Sequence, residues 1–302
     1  MEMKLSVFGS SEIIQHHIKA AKKNSFQIYG IFTSNPKSIN VKKLSKKFQI
    51  DKIYYSWKSL LDDSKKNGCS VLIAGRLKDN EKILEYAITK NIKILIEKPI
   101  FTSSEKFDKF INYKKNIFVG YNRIFYNGIS KLKKIILKNR PYNMILKCPE
   151  INKQNILLNT CHIISIIYYF FGKIELVKKI NNKNSIFCIF KTRENIIIII
   201  NISFNSVDNF SFELNFNNLR AKQEPIERLT IYNKLKKINY KNTTIYKPKN
   251  SLIINEYSSN NLKPGFDNQY KSFKKFVRNK KTNFINISQA KSIICICEKI
   301  IN

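Results

Sequence analysis

The chain has 302 residues and a formal net charge of +34, and its length allows one large domain or two ordinary ones with real cores. Its 43% hydrophobic residues are typical of a globular protein and exclude a disordered one. Only seven of the 55 basic residues are arginine, and the lysines are scattered. This pattern disfavours nucleic acid as a partner, whereas an acidic membrane surface stays open.

Signals for export, membrane insertion and metal binding are missing from the sequence. No basic and apolar leader opens it, and its longest apolar segment, 156–171, is shorter than the run of about 18 residues that spans a bilayer. The six cysteines lack paired metal spacing. We therefore expect a cytoplasmic protein with no transmembrane segment, no metal site and reduced cysteines in its core.

Strands and helices alternate over the first 120 residues. Strands are predicted at 4–8, 27–32, 53–55, 70–74, 92–96 and 117–120, and helices at 12–21, 41–48, 57–62, 80–90 and 102–113. Six strands that alternate with helices indicate an α/β domain with a doubly wound parallel sheet of the Rossmann type.

The alternation stops after this sheet. Helices are predicted at 124–138 and 155–171, strands at 173–180, 185–191, 195–204 and 210–216, and helices again at 267–279 and 288–300, while 234–264 is polar and without a clear pattern. The pattern favours an α+β domain with a mainly antiparallel sheet. We predict two domains, residues 1–122 and 123–302.

The most informative stretch is 92–100, where an apolar strand runs directly into Glu97, Lys98 and Pro99. In doubly wound sheets the ligand crevice lies at the carboxyl ends of the strands, so a lysine there is placed to meet a ligand. Without further context, a surface lysine before a turn proline is the commoner interpretation.

Together these features resemble the glucose-fructose oxidoreductase and inositol dehydrogenase family over essentially the whole chain. The segment 120–123, Gly-Tyr-Asn-Arg, is similar to the family's exit from the sixth strand, and 159–162, Asn-Thr-Cys-His, followed by Gly172, resembles its catalytic helix. The resemblance implies that the chain binds NADP or NAD. It also implies hydride transfer between the nicotinamide and a hydroxyl carbon of a sugar, polyol or nucleotide sugar.

The resemblance assigns two catalytic residues. Lys98 orients substrate and cofactor, with Glu97 holding the loop and Pro99 shaping the turn beside the nicotinamide. An ammonium near the reacting hydroxyl also favours an alkoxide-like transition state. His162 is the acid–base candidate because the unperturbed pKa of histidine is near neutrality, although a histidine on an apolar helix is, by itself, more often a core residue.

A substrate group follows from the same resemblance. Tyr121, Arg123 and Asn159 are expected to contact the substrate together with Lys98 and His162. A tyrosine and an arginine at a domain border are equally often packing and hinge residues. The family's carboxylates near the histidine are replaced here by Ser165 and Asn159, which leaves proton transfer to the lysine and the histidine.

The dinucleotide fingerprint G-x-G-x-x-G after the first strand is degenerate. Residues 9–14 read Gly-Ser-Ser-Glu-Ile-Ile, so only Gly9 survives, and Ser10 and Ser11 must let phosphate reach the helix amides. Ile14 in the third glycine position is expected to push helix and strand apart, and Glu12 adds negative charge near the phosphates.

The second strand also lacks the acidic residue that binds the ribose hydroxyls, since Thr33 and Ser34 follow it. Ser34 with Lys37 can receive a 2′-phosphate, so NADP is slightly favoured over NAD. Arg76, after the fourth strand, is a further candidate for pairing with phosphate.

Two hypotheses about function remain. The leading one is a nicotinamide-dependent oxidoreductase acting on a sugar or nucleotide sugar, with surface-glycan synthesis as a family-level analogy. The other is a non-catalytic member that keeps the fold as a binding or scaffolding subunit, because so many cofactor and carboxylate residues are lost. In either case the resemblance implies a homo-oligomer.

Overall fold

The computed structural model describes residues 3–256 and 262–302. The chain forms two compact units, Met1–Phe125 with Ser258–Ile294 and Tyr126–Tyr257 with Cys295–Asn302. No helix of the described residues is long and apolar enough to cross a membrane.

In the described part of the chain, the strands are β1 (Met3–Phe8), β2 (Phe26–Phe32), β3 (Ile53–Tyr54), β4 (Ser70–Ile73), β5 (Ile94–Ile96), β6 (Ile117–Val119), β7 (Asn143–Glu150), β8 (Ile174–Asn181), β9 (Ser185–Thr192), β10 (Ile197–Phe204), β11 (Ser211–Phe216), β12 (Leu219–Gln223), β13 (Arg228–Tyr240), β14 (Thr243–Asn255) and β15 (Ile285–Asn286). The α-helices are α1 (Glu12–Lys23), α2 (Ile39–Phe48), α3 (Trp57–Lys66), α4 (Asn80–Thr89), α5 (Asn127–Ile136), α6 (Cys161–Phe171), α7 (Phe266–Val277) and α8 (Ile287–Ile301).

The first unit is built on the predicted doubly wound sheet. Its strand order is β15-β6-β5-β4-β1-β2-β3, and all pairs are parallel except β15 with β6. Every residue of β4, β5 and β6 is buried, as expected for strands that helices cover on both faces. The predicted fold class is therefore confirmed.

Three parts of the first unit differ from the sequence prediction. The antiparallel edge strand β15 was not predicted. The segment Glu105–Tyr113 forms a 3₁₀ helix rather than the predicted α-helix. Helix α7, far along the chain, returns to this unit. There Phe118 of β6 packs against Phe273 and Phe276 of α7, with ring centroids 5.6 and 5.7 Å apart, so the carboxyl-terminal segment completes the core of the parallel sheet.

The second unit contains a mainly antiparallel sheet, as predicted. Its order is β14-β13-β12-β11-β7-β10-β9-β8, and of these pairs only β7 with β10 is parallel. Strands β7 and β12 and the long hairpin of β13 and β14 were not predicted. Much of β13 is exposed or only half-buried, so the hairpin lacks the alternation of apolar and polar residues by which strands are recognised.

The turn between β1 and α1 requires its glycine. Gly9 has a φ angle of +129°, and a β carbon built on it would collide with the carbonyl oxygen of Ala74, just after β4. Neither the angle nor the space suits a larger residue. The backbone nitrogen of Ala74 donates to the carbonyl oxygen of Phe8 at 2.8 Å, so the exits of β1 and β4 lie directly against each other.

We predict that Gly9→Ala lowers the free energy of unfolding by at least about 1–3 kcal/mol, the usual cost of a sparsely populated backbone conformation, because the collision with Ala74 adds to that cost. Gly75→Ala is the matched control, since a β carbon on Gly75 meets no atom within 4 Å. Its effect should stay within about 0.5 kcal/mol. Urea unfolding followed by the fluorescence of Trp57 measures both variants, and equal stabilities would contradict the prediction.

Candidate functional site

The loops that follow the parallel strands meet at one edge of the first unit. A cleft of about 240 Å³ lies there. It is lined by Phe8, Gly9, Ser10, Ser11, Phe32, Thr33, Ser34, Ala74, Gly75, Arg76, Asp79 and Ile83. Residues from the exits of β1, β2 and β4 thus form a single concave surface, at the place where such sheets bind ligands.

The cleft brings together five residues predicted to bind cofactor, namely Gly9, Ser10, Ser11, Ser34 and Arg76. The other three predicted cofactor residues, Lys37, Glu97 and Pro99, are not among its lining residues. Lys37 is exposed on the turn after β2, where its backbone nitrogen donates to Oδ1 of Asn35 at 3.0 Å.

Helix α1 begins at the wall of the cleft. Ser11 is its N-cap residue, with extended backbone angles, and its side chain forms no capping hydrogen bond. The Ser11 side chain therefore satisfies none of the first-turn amides, although the Ser11 carbonyl oxygen accepts a hydrogen bond from the nitrogen of Ile14 at 3.0 Å. The helix dipole favours an anion at this end. Ile14, at the third fingerprint position, is fully buried, and its Cδ1 lies 3.2 Å from the place where a β carbon on Gly9 would be.

Arg76 is paired with a carboxylate that the sequence analysis missed. Its Nε lies 3.0 Å from Oδ2 of Asp79, and Nζ of Lys82 lies 2.8 Å from Oδ1. Lys82, and then Arg76, hold the pKa of Asp79 below its usual value. The i, i+3 spacings of these charges were the available sequence signal. The three groups carry a net positive charge, so the carboxylate does not turn this wall of the cleft negative.

The loop after β5 is anchored through its backbone. The nitrogen of Glu97 donates to the carbonyl oxygen of Ile73 at 2.8 Å, and Nδ2 of the buried Asn80 donates to the carbonyl oxygen of Ile100 at 3.0 Å. Between them, the Lys98–Pro99 peptide is cis, Lys98 is half-buried and Pro99 is buried. Because β5 lies beside β4 in the sheet, this loop neighbours the loop that carries Arg76.

The exit of β6 holds two residues predicted to contact substrate. Tyr121 is 1% exposed and Arg123 is half-buried. Between them, Nδ2 of Asn122 donates to the carbonyl oxygen of Pro264 at 3.0 Å. The substrate role of Tyr121 and Arg123 stays a prediction.

In the second unit, His162 lies in the first turn of α6 and is 8% exposed. The hydroxyl of Ser165 donates to the carbonyl oxygen of His162 at 2.6 Å. The Ser165 side chain is thus hydrogen-bonded to the backbone of its own helix. A π-helical turn, Ile156–Thr160, precedes α6 and carries Asn159. Such turns occur often at functional sites.

A buried carboxylate that the sequence analysis missed holds this turn. Glu150, at the end of β7, is 5% exposed. It accepts hydrogen bonds from Nδ2 of Asn159 at 3.1 Å, from the backbone nitrogen of Thr160 at 2.9 Å and from Oγ1 of Thr160 at 2.5 Å. Every second residue of β7 from Met144 to Glu150 is buried, and this period-2 pattern was the signal for an inward glutamate.

The described residues contain no group of three histidine, cysteine, aspartate or glutamate side chains that could hold a metal ion. All six cysteines are free, and five of them are buried.

Residues 3–117 match the model of the Gfo/Idh/MocA family, described as an oxidoreductase family with an NAD-binding Rossmann fold. None of the curated proteins matches the chain.

Solved structures share the fold over almost the whole chain. A dehydrogenase (MviM) from Clostridium difficile is 17% identical, with a TM-score of 0.77 and coverage of 100% of this chain and 99% of that one. An oxidoreductase from Agrobacterium radiobacter in complex with NAD+, L-tartaric acid and magnesium is 13% identical, with a TM-score of 0.75 and coverage of 99% and 95%. The UDP-N-acetylglucosamine 3-dehydrogenase GnnA from Acidithiobacillus ferrooxidans is 12% identical, with a TM-score of 0.73 and coverage of 99% and 97%.

At these identities the structural likeness shows the fold alone, whereas the family model matches the sequence of the domain that carries the cleft. The resemblance predicted from the stretch 92–100 is confirmed for residues 3–117, which match the model of the Gfo/Idh/MocA family of oxidoreductases.

Proposed function

We propose that this protein is an oxidoreductase that uses NADP or NAD and moves a hydride to or from a hydroxyl-bearing carbon of a sugar or nucleotide sugar. The observation that carries the proposal is the cleft at the carboxyl edge of the parallel sheet, where five predicted cofactor residues converge. The loop with Lys98 follows the neighbouring strand β5.

The residues of the cleft fit a dinucleotide. Ser10 and Ser11 lie at the amino end of α1, where amides and helix dipole favour a diphosphate. Arg76 adds a guanidinium that can pair with a phosphate oxygen in place of Asp79. No carboxylate follows β2 at Thr33 and Ser34, so this end of the cleft suits the 2′-phosphate of NADP, with Lys37 nearby in sequence.

The nicotinamide, when bound, supplies the hydride donor or acceptor. The ammonium of Lys98 then stabilises negative charge that develops on the reacting hydroxyl oxygen. The imidazole of His162 takes up or returns the hydroxyl proton, the role that histidine side chains most often have in general acid–base catalysis. Pro99 forms the turn beside the nicotinamide, and Glu97 holds the loop.

Tyr121, Arg123 and Asn159 are proposed to bind the substrate. The hydrogen bond from Asn159 to the buried Glu150 supports this role, because it fixes the amide one turn before His162. A nucleotide sugar as substrate is supported by the structural likeness to a UDP-N-acetylglucosamine 3-dehydrogenase. A role in surface-glycan synthesis would follow from that substrate.

A non-catalytic role as a binding or scaffolding subunit is the alternative. It is favoured by the sequence around α1, where Ile14 replaces a fingerprint glycine and Glu12 brings a negative charge to the first turn. An anion at a helix amino end competes with a diphosphate for the same field. Measured cofactor binding separates the two functions.

We expect NADPH or NADH to raise the melting temperature of the protein. A cofactor at about 100 times its Kd stabilises the native state by about 2.7 kcal/mol, which corresponds to a rise of several degrees. Differential scanning fluorimetry with NAD, NADP and their reduced forms at millimolar concentration measures the shift. ATP at the same concentration is the control for binding of any phosphate. An unchanged melting temperature with all four cofactors would contradict the proposed oxidoreductase activity and favour the scaffolding role.

Lys98→Ala and His162→Ala should each lower turnover by about 10²–10⁴-fold, the usual contribution of a general acid–base, while cofactor affinity stays nearly unchanged. The assay follows nicotinamide absorbance with a panel of sugars and UDP-sugars, including UDP-N-acetylglucosamine. Lys90→Ala is the control, since Nζ of Lys90 pairs with Asp62 at 3.0 Å and neither residue lines the cleft. If both catalytic variants lost cofactor binding instead, the roles would be wrongly assigned.

We also propose that the protein is a homo-oligomer, assembled through the open face of the sheet in the second unit. This face exposes Ile145, Val177, Ile180 and Ile197 by 39–56% each, and large exposed apolar patches often mark interfaces. Sedimentation velocity should detect a dimer or tetramer, and Val177→Lys with Ile180→Lys should shift the protein towards the monomer. A wild-type protein that stays monomeric at micromolar concentration would refute the proposal.

A further inference from the structure

A buried histidine lies between a phenol and the carboxylate that precedes Lys98. His17 of α1 is 0% exposed. Its Nδ1 is 3.1 Å from the hydroxyl oxygen of Tyr270 in α7, and its Nε2 is 3.0 Å from Oε1 of Glu97. All of these residues belong to the first unit. Both ring nitrogens therefore face a polar group, which packing alone does not require.

The phenol sets which nitrogen of His17 carries hydrogen. Burial, and then the charge of Glu97, raise the pKa of Tyr270 well above its usual value, so the phenol keeps its hydrogen at neutral pH. When the phenol donates to Nδ1, the ring hydrogen lies on Nε2 and faces the carboxylate. The Nε2 contact has the distance of an ion pair without the angle of a good hydrogen bond, so its attraction is electrostatic.

Packing restricts both partners. The ring of Phe266 meets the ring of His17 edge-on, with centroids 4.7 Å apart, and so limits rotation of the imidazole. On the other side of Glu97, a β carbon built on Gly120 would lie 2.8 Å from Oε1. Oε1 of Glu97 thus lies between the imidazole and the bare backbone of the β6 exit, which limits its movement on these two sides, while 21% of the Glu97 side chain is exposed.

We propose that His17 and Tyr270 are positioning residues: they hold the carboxylate of Glu97 and thereby the Glu97-Lys98-Pro99 turn at the carboxyl end of β5. The catalytic meaning of this inference rests on the proposed function. Tyr270 orients the imidazole, the imidazole fixes the carboxylate, and the backbone that follows the carboxylate carries Lys98. Neither His17 nor Tyr270 contacts the substrate in this arrangement.

Two variants of similar size and polarity separate the contacts of His17. In His17→Gln the side-chain amide nitrogen takes the place of Nε2 and can still face Glu97. In His17→Asn the amide takes the place of Nδ1 and reaches only Tyr270. We expect the glutamine variant to bind NADPH or NADH within about threefold of wild type, and the asparagine variant to bind about tenfold more weakly, because displaced site groups are costly. Titration of nicotinamide fluorescence measures both, with the melting temperature of each apoprotein as the check on folding.

A second measurement does not depend on cofactor binding. The chain has three histidines, so nitrogen-15 labelling of histidine gives three pairs of ring signals. The pairs of His16 and His162 are identified by their loss in His16→Gln and His162→Gln, and the remaining pair belongs to His17. Glu97→Gln and Tyr270→Phe should each shift the His17 pair. The signals of His162 should not move, and they serve as the internal control.

The outcomes separate the inference from the proposed function. If the glutamine and asparagine variants fold like wild type and bind cofactor equally well or equally poorly, the contact with Glu97 positions nothing and the inference fails. Unchanged His17 signals in Glu97→Gln overturn it as well, and they decide the matter if neither His17 variant folds. If wild type binds neither NADPH nor NADH, the proposed function fails, and the histidine spectra alone then decide whether His17 holds Glu97.

Discussion

The burial of parallel strands on both faces is the constraint on which the first unit depends. Strands β4, β5 and β6 expose none of their residues, and parallel neighbours can be joined only by crossovers that cover the sheet. Polar groups are therefore excluded from the middle of the sheet and collect where the strands end. The collision that a side chain on Gly9 would have with Ala74 shows how tightly these exits are packed. The cleft is a consequence of this packing.

In the second unit, a polar residue at the end of a strand is buried and held by hydrogen bonds. Its sheet has a covered face and an exposed one, and β7 directs every second residue inward up to Glu150. A buried carboxylate is costly unless hydrogen bonds compensate it, and three donors from Asn159 and Thr160 do so. These bonds fix the start of the helix that carries His162. In both units a residue with a proposed catalytic role follows a buried strand whose end is anchored by polar contacts.

Contacts of neighbouring residues accommodate the departures from the dinucleotide fingerprint. The family has a small residue where this chain has Ile14, and the Ile14 side chain is buried in the core. A cleft is still present at the amino end of α1. The carboxylate of Asp79 is neutralised by Lys82 and Arg76. Two of the chain's many basic residues thus neutralise a carboxylate at the wall of the cleft.

By itself, the sequence determined the alternation of strands and helices, the antiparallel character of the second sheet, and the place of Glu97, Lys98 and Pro99 at the end of a buried strand. These features follow from periodicity and from neighbours along the chain. Only the tertiary structure decided that α7 joins the first unit, that Glu150 is buried beside Asn159, and that His17 meets Tyr270, 253 positions away. Contacts between distant residues leave no periodic trace in a single sequence. They arise when separate elements bury their faces against each other, and the packing of the whole unit then selects which polar groups become partners.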